Sequence, residues 1–399
     1  NPKTNPKTNP KTNPKTNPKT NPKTNPKTNR KSNKELSEGN MEKGYIILAV
    51  SFVLAFAIVK VLKPIAHWAD LVDKPGGRKD HAGVIPLVGG LAIYASVLVT
   101  TFLFVEQPIF IRLFLLAGGL IVFMGMVDDR YQLSARFRLV GQFLVSCIFV
   151  YGLDVQFYAF GDLIGIGELN PGWLGYPLAV LSLMGAVNAM NMLDGMDGLV
   201  GSISMVSFIG LVALFGASGD STFQYLCMTF IGSTAAFLIF NLWGIPTHKA
   251  IGKVFMGDAG SMFLGLSLGV LLIYGSQPQA AKAAAFSPVV ALWFVLLPMT
   301  DMFTIMYRRV KRGRSPMAPD RTHIHHIIMR AGFSAKQTLY VMLLVQGAFV
   351  AIGVSFYVSK LPEWLSFLAA LGLVVVYQLL MQRSWRFIRW SKRHLFAPV

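Results

Sequence analysis

Long apolar runs are the feature that most constrains the fold of this 399-residue chain. A helix needs about 20 apolar residues to cross a bilayer, and about eleven runs here approach that length. They are centred on residues 44–62, 85–105, 110–127, 138–153, 173–190, 199–216, 223–242, 259–275, 286–306, 338–357 and 363–381. Only 14% of residues are charged, against about a quarter in a soluble domain. The sequence therefore predicts an all-α, polytopic integral membrane protein.

The segment before these runs has a different composition. Residues 1–28 are seven copies of NPKT, and a polar stretch, NRKSNKELSEGN, follows them. Proline at every fourth position opposes helix formation, and no apolar residue is present to build a core. We therefore predict a disordered low-complexity tail over 1–40 and a transmembrane domain over 41–399. A nucleic-acid-binding arm is disfavoured because the repeat contains neither arginine nor an aromatic residue. Met41 directly precedes the first run, so the tail is expected to be an upstream extension without a role in activity.

The distribution of Lys and Arg between loops predicts the orientation. Loops after odd-numbered runs, with the C-terminal tail, hold about 22 of these residues, whereas the other loops hold only Arg112, Lys282 and Lys360. Cytoplasmic loops carry the excess of positive charge. The C-terminus is therefore predicted to be cytoplasmic and the N-terminus outside, although the lysine-rich tail then lies outside as well.

The unusual polar motifs all follow odd-numbered runs. They are MVDDRYQLSARFR, NMLDGMDG, NLWGIPTHKAIGKVFMGDAGS and YRRVKRGRSPMAPDRTHIHHIIMRAGFS. Because loops after odd-numbered runs are predicted to be cytoplasmic, all of these acids and histidines lie on the predicted cytoplasmic side. The opposite loops contain only scattered polar residues. The sequence therefore predicts one polar site assembled from four separate loops.

Each motif also has a purely structural interpretation. Asp128 and Asp129 could be helix-end charges, and the two Asp-Gly pairs that begin at Asp194 could be ordinary turns. Asp258 or Ser261 could cap the following helix. HIHH could bind zinc, but no carboxylate or cysteine is spaced to complete such a site, and its arginine-rich surroundings disfavour a divalent metal.

Taken together, the motifs favour a functional interpretation. The carboxylates and Asn191 supply the hard oxygen ligands that suit Mg²⁺. In the basic loop after the ninth run, the arginines nearest the membrane fit the ordinary positive-inside bias. The stronger candidates for binding an anion there are Arg321, His323, His325 and His326. Acids with Mg²⁺ beside cationic donors form the kind of site that transfers phosphoryl groups.

Five stretches together resemble a known family. They are LVDKPGGRKDHAGVIPLVGGL, DDRYQLSARFRLVGQ, NAMNMLDGMDGL, VFMGDAGS and SPMAPDRTHIHHIIMRAGF. The chain resembles the polyprenyl-phosphate N-acetylhexosamine-1-phosphate transferases, and within them the WecA-type bacterial enzymes that use UDP-N-acetylglucosamine (UDP-GlcNAc). The resemblance runs from about residue 41 to the C-terminus and excludes the NPKT tail. RTHIHH is similar to the pattern of enzymes that use UDP-GlcNAc, whereas related enzymes acting on UDP-MurNAc-pentapeptide carry three consecutive histidines.

The resemblance implies a Mg²⁺-dependent enzyme of the bacterial inner membrane, with Mn²⁺ as an alternative ion and the active site on the cytoplasmic face. Such an enzyme transfers GlcNAc-1-phosphate from UDP-GlcNAc to undecaprenyl phosphate and releases UMP. This step initiates a lipid-linked surface glycan such as O-antigen or enterobacterial common antigen. The implied partners are these two substrates and membrane lipids, without nucleic acid, and a homodimer is left open.

The resemblance also implies roles for individual residues. The Mg²⁺ ligands are expected to be Asn191 and Asp258. The acids nearest the attacking lipid phosphate, and hence catalytic, are expected to be Asp128 and Asp129. The residues expected to bind the metal-bound nucleotide or its diphosphate are Asp194, Asp197, Arg138, Arg321, His323, His325, His326 and His81. A phosphate with a second pKa of about 6 is mostly deprotonated at neutral pH, so positioning and charge screening should supply most of the catalysis.

Two other classes of protein remain as alternatives. Intramembrane prenyltransferases also use acid-rich motifs, but DDRYQ lacks the third acid of DDxxD, and that chemistry gives no account of HIHH. A secondary transporter would place its ionisable residues near the middle of the bilayer, whereas the acids here lie at run ends. The nearest exception is Asp301, late in the ninth run, which we expect to pair within the helix bundle.

Overall fold

Thirteen α-helices make up most of the part of the chain that the structure, a computed structural model, describes. The described residues are 26–74, 83–245, 252–278, 283–317 and 322–395. The helices are α1 (Pro26–Trp68), α2 (Gly89–Phe104), α3 (Ile109–Tyr131), α4 (Ala135–Gly152), α5 (Gly175–Leu193), α6 (Leu199–Ser218), α7 (Ser221–Leu242), α8 (Gly257–Ser276), α9 (Pro288–Lys311), α10 (Ile324–Arg330), α11 (Ala335–Ser359), α12 (Glu363–Gln382) and α13 (Ser384–His394). Two short strands, β1 (Val72–Asp73) and β2 (Ile85–Pro86), pair antiparallel.

Each of the eleven predicted runs corresponds to one helix. Among the described residues, ten helices are long and apolar enough to cross a membrane. The remaining run, over 85–105, forms α2, which has only 16 residues because the preceding residues enter β2. Helices α11 and α12 bury only a small share of their residues within the protein, as lipid-facing helices do. The prediction of an all-α, multi-pass membrane protein is confirmed.

The amino-terminal part differs from the predicted tail. The described part of the chain starts within α1 at Pro26, so residues 26–40, which we predicted to be disordered, are helical and continue the first membrane helix. The segment after Pro26 contains no further proline until Pro64, so the objection that the NPKT repeat raises against a helix does not apply to it. Residues 1–25 lie outside the described part of the chain. Contacts divide the chain into two units, Asn1–Lys43 and Gly44–Val399, and everything described below belongs to the second.

Helix α8 is enclosed by its neighbours along its whole length. Every residue from Ala259 to Ile273 is buried, and the helix contacts α2, α3, α5, α6 and α9. A helix that is apolar on all sides is expected at the centre of a bundle. The residues at its N-terminus are therefore held where several other helices end.

Glycines allow the close approach that this packing requires. A Cβ atom on Gly90 of α2 would overlap the backbone of Gly260, and one on Gly125 of α3 would overlap the backbone of Ala259. On the opposite side, a Cβ atom on Gly265 would lie 2.7 Å from the carbonyl oxygen of Ala186 in α5. Small residues at helix contacts are the usual device for tight packing in lipid. They fix the height and rotation of α8 against three neighbours.

The small hairpin holds the segment that leads into α8. The amide of Phe255 donates to the carbonyl of Pro86 in β2 (2.9 Å), and the amide of Gly89 donates to the carbonyl of Phe255 (2.9 Å). The amide of Gly90 then donates to the carbonyl of Met256 (2.9 Å). The sequence VFMGDAGS is thereby anchored on both sides of its turn.

The close contact between α2 and α8 can be tested with one methyl group. We expect Gly90→Ala to lower the free energy of unfolding by about 1–3 kcal/mol, because the backbones must separate to admit the Cβ atom. The matched control is Gly347→Ala in α11, where a Cβ atom meets nothing within 4 Å. That variant should be neutral or stabilised by up to about 1 kcal/mol through helix propensity. Thermal unfolding of the detergent-solubilised proteins measures both, and equal midpoints would contradict the packing argument.

Candidate active site

Four helix ends meet at one end of the bundle. Helices α3 and α5 end there, and α4 and α8 begin there, so their terminal residues come together. These residues are Asp128 and Asp129 of α3, Arg138 of α4, Asn191 of α5 and Asp258 of α8. The predicted grouping of three separate motifs on one side of the protein is confirmed by the direct contacts between them.

Asp129 receives the first amides of α8. Its Oδ1 accepts a hydrogen bond from the amide of Asp258 (2.8 Å) and its Oδ2 one from the amide of Ala259 (3.3 Å). The amides of a first helical turn have no acceptor within the helix, and the positive end of the helix dipole favours a carboxylate. The structural interpretation in which Asp258 or Ser261 caps α8 is therefore wrong, because the cap comes from α3.

Asp128 is occupied by protein partners. Its Oδ2 accepts from Nη1 of Arg138 (2.9 Å), and its Oδ1 accepts from the amide of Leu133 (2.7 Å). Its side chain is only 4% exposed. The same Arg138 nitrogen lies 3.8 Å from Oδ2 of Asp258. In this arrangement Asp128 orients the guanidinium of Arg138 toward the rest of the acidic cluster.

Asn191 and Asp258, the expected metal ligands, are in direct contact. The side-chain amide of Asn191 donates to Oδ1 of Asp258 (2.7 Å) and to Oγ of Ser261 (3.0 Å). One helical turn earlier, Asn188 donates to Oε1 of Gln142 in α4 (2.6 Å). Two carboxamides on the same face of α5 therefore connect this helix to both of its polar neighbours.

The bend between α5 and α6 carries the next two acids. No described residue donates a hydrogen bond to the Asp194 carboxylate, and burial, with Asp258 and Asp197 nearby, raises the pKa of this group to about 8. Asp197 instead forms an ion pair with Lys253. At Gly198 the backbone adopts a φ of 73°, and its amide donates to Oδ1 of the buried Asn241 (2.5 Å). The bend is thus tied to the segment that precedes α8.

Asp301 anchors the histidine segment to α9. Its Oδ2 accepts from Nδ1 of His323 (2.7 Å), and its Oδ1 accepts from the amide of Ile324 (3.1 Å) and the hydroxyl of Tyr377 (2.6 Å). The expectation that Asp301 pairs within the bundle is confirmed. His323, predicted to bind the diphosphate, is 5% exposed, and its Nδ1 is occupied by Asp301. Its position makes it a support for α10.

His325 faces the acidic bend. Its Nε2 lies 2.6 Å from the point that a Cβ atom on Gly195 would occupy, so glycine is required there for the two segments to meet. The side chain is 1% exposed, and neither ring nitrogen has a hydrogen-bond partner among the described residues. Burial, with His326 and His323 nearby, lowers the pKa of His325 to about 3. The imidazole is therefore neutral, and it presents unused hydrogen-bonding groups rather than the positive charge that we predicted.

The remaining predicted site residues divide into two groups. The ring of His326 lies 4.2 Å from that of His325, centroid to centroid. His81 and Arg321 lie outside the described residues.

Sequence reasoning missed Lys253 and Tyr377 as members of the site. Lys253 stands within the quoted GKVFMGDAGS stretch, so the motif held a signal for it, whereas Tyr377 lies in an apolar run without any local signal.

The donor atoms bear on which metal this cluster could hold. Within the described ranges, no three His, Cys, Asp or Glu residues are arranged to hold a metal ion. Structural zinc sites use four protein ligands, mostly Cys and His, so the histidine segment does not fit zinc. Mg²⁺ binds through one or two carboxylates and completes its shell with water and substrate phosphates. Asp258 and Asp194, with Asn191 beside them, fit that requirement.

The Asp301 anchor can be tested by removing either the carboxylate itself or one of its three donors. Asp301→Ala leaves His323, Ile324 and Tyr377 without their acceptor, and each such buried group costs about 1–3 kcal/mol. Tyr377→Phe removes only one hydrogen bond, with an expected cost of about 1 kcal/mol. Thermal unfolding should therefore rank Asp301→Ala well below Tyr377→Phe. Equal losses would mean that the carboxylate contributes nothing beyond its contact with the hydroxyl.

Comparison with known proteins gives the relationship of the chain. Residues 110–276 match the model of glycosyl transferase family 4. Three curated relatives carry the name undecaprenyl-phosphate α-N-acetylglucosaminyl 1-phosphate transferase. The protein from Yersinia pestis is 36% identical over 86% of this chain and 92% of its own length, and that from Escherichia coli K12 is 37% identical over 83% and 89%. The protein from Haemophilus influenzae is 34% identical over 86% and 96%. The chain belongs to the family of undecaprenyl-phosphate N-acetylglucosaminyl 1-phosphate transferases.

Proposed function

We propose that this protein transfers GlcNAc-1-phosphate from UDP-GlcNAc to undecaprenyl phosphate, giving undecaprenyl-diphospho-GlcNAc and UMP. The names of its full-length relatives support this activity. The observation that carries the proposal is the contact between two chemically different halves of one site. An acidic half, formed by α3, α5 and α8, meets the histidine segment where His325 lies against Gly195.

The reaction needs few proton transfers. An oxygen of the lipid phosphate attacks the phosphorus that carries the sugar, and a new P–O–P bond forms. The bond from that phosphorus to the bridging oxygen breaks, and UMP leaves with the electron pair. Since the lipid phosphate is already largely deprotonated at neutral pH, the protein mainly has to hold the two phosphates in line and screen their charge.

The described residues suggest a division of these tasks. Asp258 and Asn191, with Asp194 close by, would hold Mg²⁺, for which Mn²⁺ is an alternative, and the ion supplies charge screening on the diphosphate when bound. Arg138, oriented by Asp128, offers a planar guanidinium suited to phosphate oxygens. His325 offers a neutral N–H donor from the other wall of the site.

We also propose that this site faces the cytoplasm from the inner membrane of a bacterium. The support is the asymmetry of Lys and Arg between alternate loops. All the motif residues described above lie at helix ends on the positively charged side of that alternation. The transfer would initiate a lipid-linked surface glycan.

A direct assay tests the proposed activity. Purified full-length protein with undecaprenyl phosphate, Mg²⁺ and radiolabelled UDP-GlcNAc should produce labelled lipid and UMP in equal amounts. UDP-GalNAc and UDP-MurNAc-pentapeptide serve as competing donors, and a prenyl diphosphate with an aromatic acceptor tests the prenyltransferase alternative. Product from the prenyl diphosphate, without UMP from any UDP-sugar, would overturn the proposal.

The metal assignment can be tested at Asp258. Asp258→Asn keeps the shape and removes the charge, so we expect activity to fall about tenfold to a hundredfold and the Mg²⁺ concentration for half-maximal activity to rise. The control is Glu168→Gln, the same chemical change at an exposed position in the loop before α5. A Mg²⁺ titration of both variants and the parent protein gives the comparison. An unchanged titration curve for Asp258→Asn would remove this residue from the ligand set.

A further inference from the structure

The last helix, α13, returns to the protein after the final membrane span. Its Ser391 hydroxyl donates to the carbonyl of Ala331 at the end of α10 (3.0 Å). Its Ile388 packs with Ile327, Ala331 and Met381 in a small apolar cluster. Helix α13 is thereby fixed against α10 and the end of α12. It buries only this narrow face, while the rest of its surface is exposed.

An open cavity of about 470 Å³ lies between α13, α10 and the end of α9. Four cations from these three helices line it, namely Arg308, Arg330, Arg389 and Lys392. Thr322 and Trp385 also line it, and no described lining residue is acidic. Four like charges around one cavity repel one another unless an anion lies between them. The cavity is therefore suited to a negatively charged ligand.

Arg308 gives the second, independent indication of a ligand. Its Nη1 is buried and has no hydrogen-bond partner among the described residues. A buried guanidinium nitrogen without an acceptor is costly, and Arg308 forms part of the cavity wall. Guanidinium groups match phosphate oxygens in both geometry and charge. Phosphate is thus the group that this wall is best built to bind.

The cavity is separate from the candidate active site. Ile327 and Arg330, which line the cavity, are three residues apart and therefore share a face of α10. His325 lies on roughly the opposite face by helical geometry. A ligand in the cavity would therefore contact the face of α10 opposite to the one from which His325 faces Gly195.

The surroundings favour a lipid as the source of the phosphate. The cavity lies where α9 and α12, both candidate membrane spans, end. On α13, Phe387 and Trp390 are exposed and three residues apart, so they share a second apolar face. A short amphipathic helix with aromatic residues on one face and Lys and Arg on the other lies in the plane of a membrane interface. Basic pockets at that level bind anionic head groups.

We propose that this cavity binds the phosphate of an anionic phospholipid, with α13 lying in the membrane interface beside it. The lipid is bound by Arg308, Arg330, Arg389 and Lys392. Its phosphate lies among these four cations, and its acyl chains extend toward the span ends. A cavity of this volume holds a glycerophosphate head group. This binding is independent of the transfer reaction.

Lipid titration of two matched variants tests the proposal. Delipidated full-length protein in neutral detergent is titrated with phosphatidylglycerol or phosphatidylcholine, and bound lipid is counted by native mass spectrometry. Arg389→Gln/Lys392→Gln removes two cavity cations. Arg386→Gln/Arg393→Gln removes the same charge from positions on α13 that do not line the cavity. We expect the first pair to weaken phosphatidylglycerol binding at least about tenfold and the second by about threefold or less, since those cations act only through screened charge.

Three outcomes would overturn the proposal. Equal losses in the two variants would mean that α13 attracts lipid only by its general charge. Phosphatidylcholine that binds as tightly as phosphatidylglycerol would mean that a net negative charge is not recognised. Displacement of phosphatidylglycerol by inorganic phosphate at similar concentration would make the ligand a soluble anion. Arg308→Lys is a further variant, which keeps the charge but loses the planar fork, and it should also weaken phosphatidylglycerol binding.

Discussion

The hydrogen bonds from the first amides of α8 to Asp129 are the interaction on which the acidic half of the site depends. The first amides of α8 have no acceptor within the helix, and a carboxylate from α3 accepts from the amides of Asp258 and Ala259. Because these bonds hold the start of α8 against α3, the side chain of Asp258 lies within hydrogen-bond distance of Asn191. A single contact between two helices thus determines where the expected metal ligands lie.

The histidine half is built on the same principle around a second buried acid. Asp301 lies within α9, where an unpaired carboxylate would be costly, and three donors from two other segments satisfy it. These donors hold α10, a helix of only seven residues that could not keep a fixed orientation alone. His325 then points at Gly195. In each half an acid, Asp129 or Asp301, holds neighbouring segments together. Other polar side chains, such as Asp258 and His325, then remain available for a ligand.

Much of this arrangement could be predicted from the sequence, and the failures have physical causes. Hydropathy is a local property, so the eleven apolar runs, and from their alternation the gathering of the motifs at one end of the bundle, could be predicted from the sequence. The partner of a carboxylate is not local. Asp129 lies far along the chain from Ala259, and Tyr377 from Asp301, so no spacing rule could show that these acids support other groups. For the same reason the sequence did not show that Nδ1 of His323 is bound to Asp301, and the binding of substrate by His323 stays a prediction. The prediction of disorder also failed over residues 26–40, which are helical, because the prolines of the repeat do not extend past Pro26.

The charges that remain after these pairings indicate what the site is made to bind. Asp128 is neutralised by Arg138 and Asp197 by Lys253, while Asp129 is satisfied by backbone amides. Asp194 and Asp258 have no cationic side chain within hydrogen-bond distance among the described residues, and burial, with Asp258 and Asp197 nearby, raises the pKa of Asp194, so a bound cation would favour its charged form. The opposite wall presents the neutral, unpaired His325. A ligand that carries a divalent cation toward the acids and phosphate oxygens toward the imidazole would satisfy both walls at once. A metal-bound nucleotide diphosphate has that distribution of charge, whereas a prenyl diphosphate bound through paired DDxxD motifs would leave the histidine wall unused.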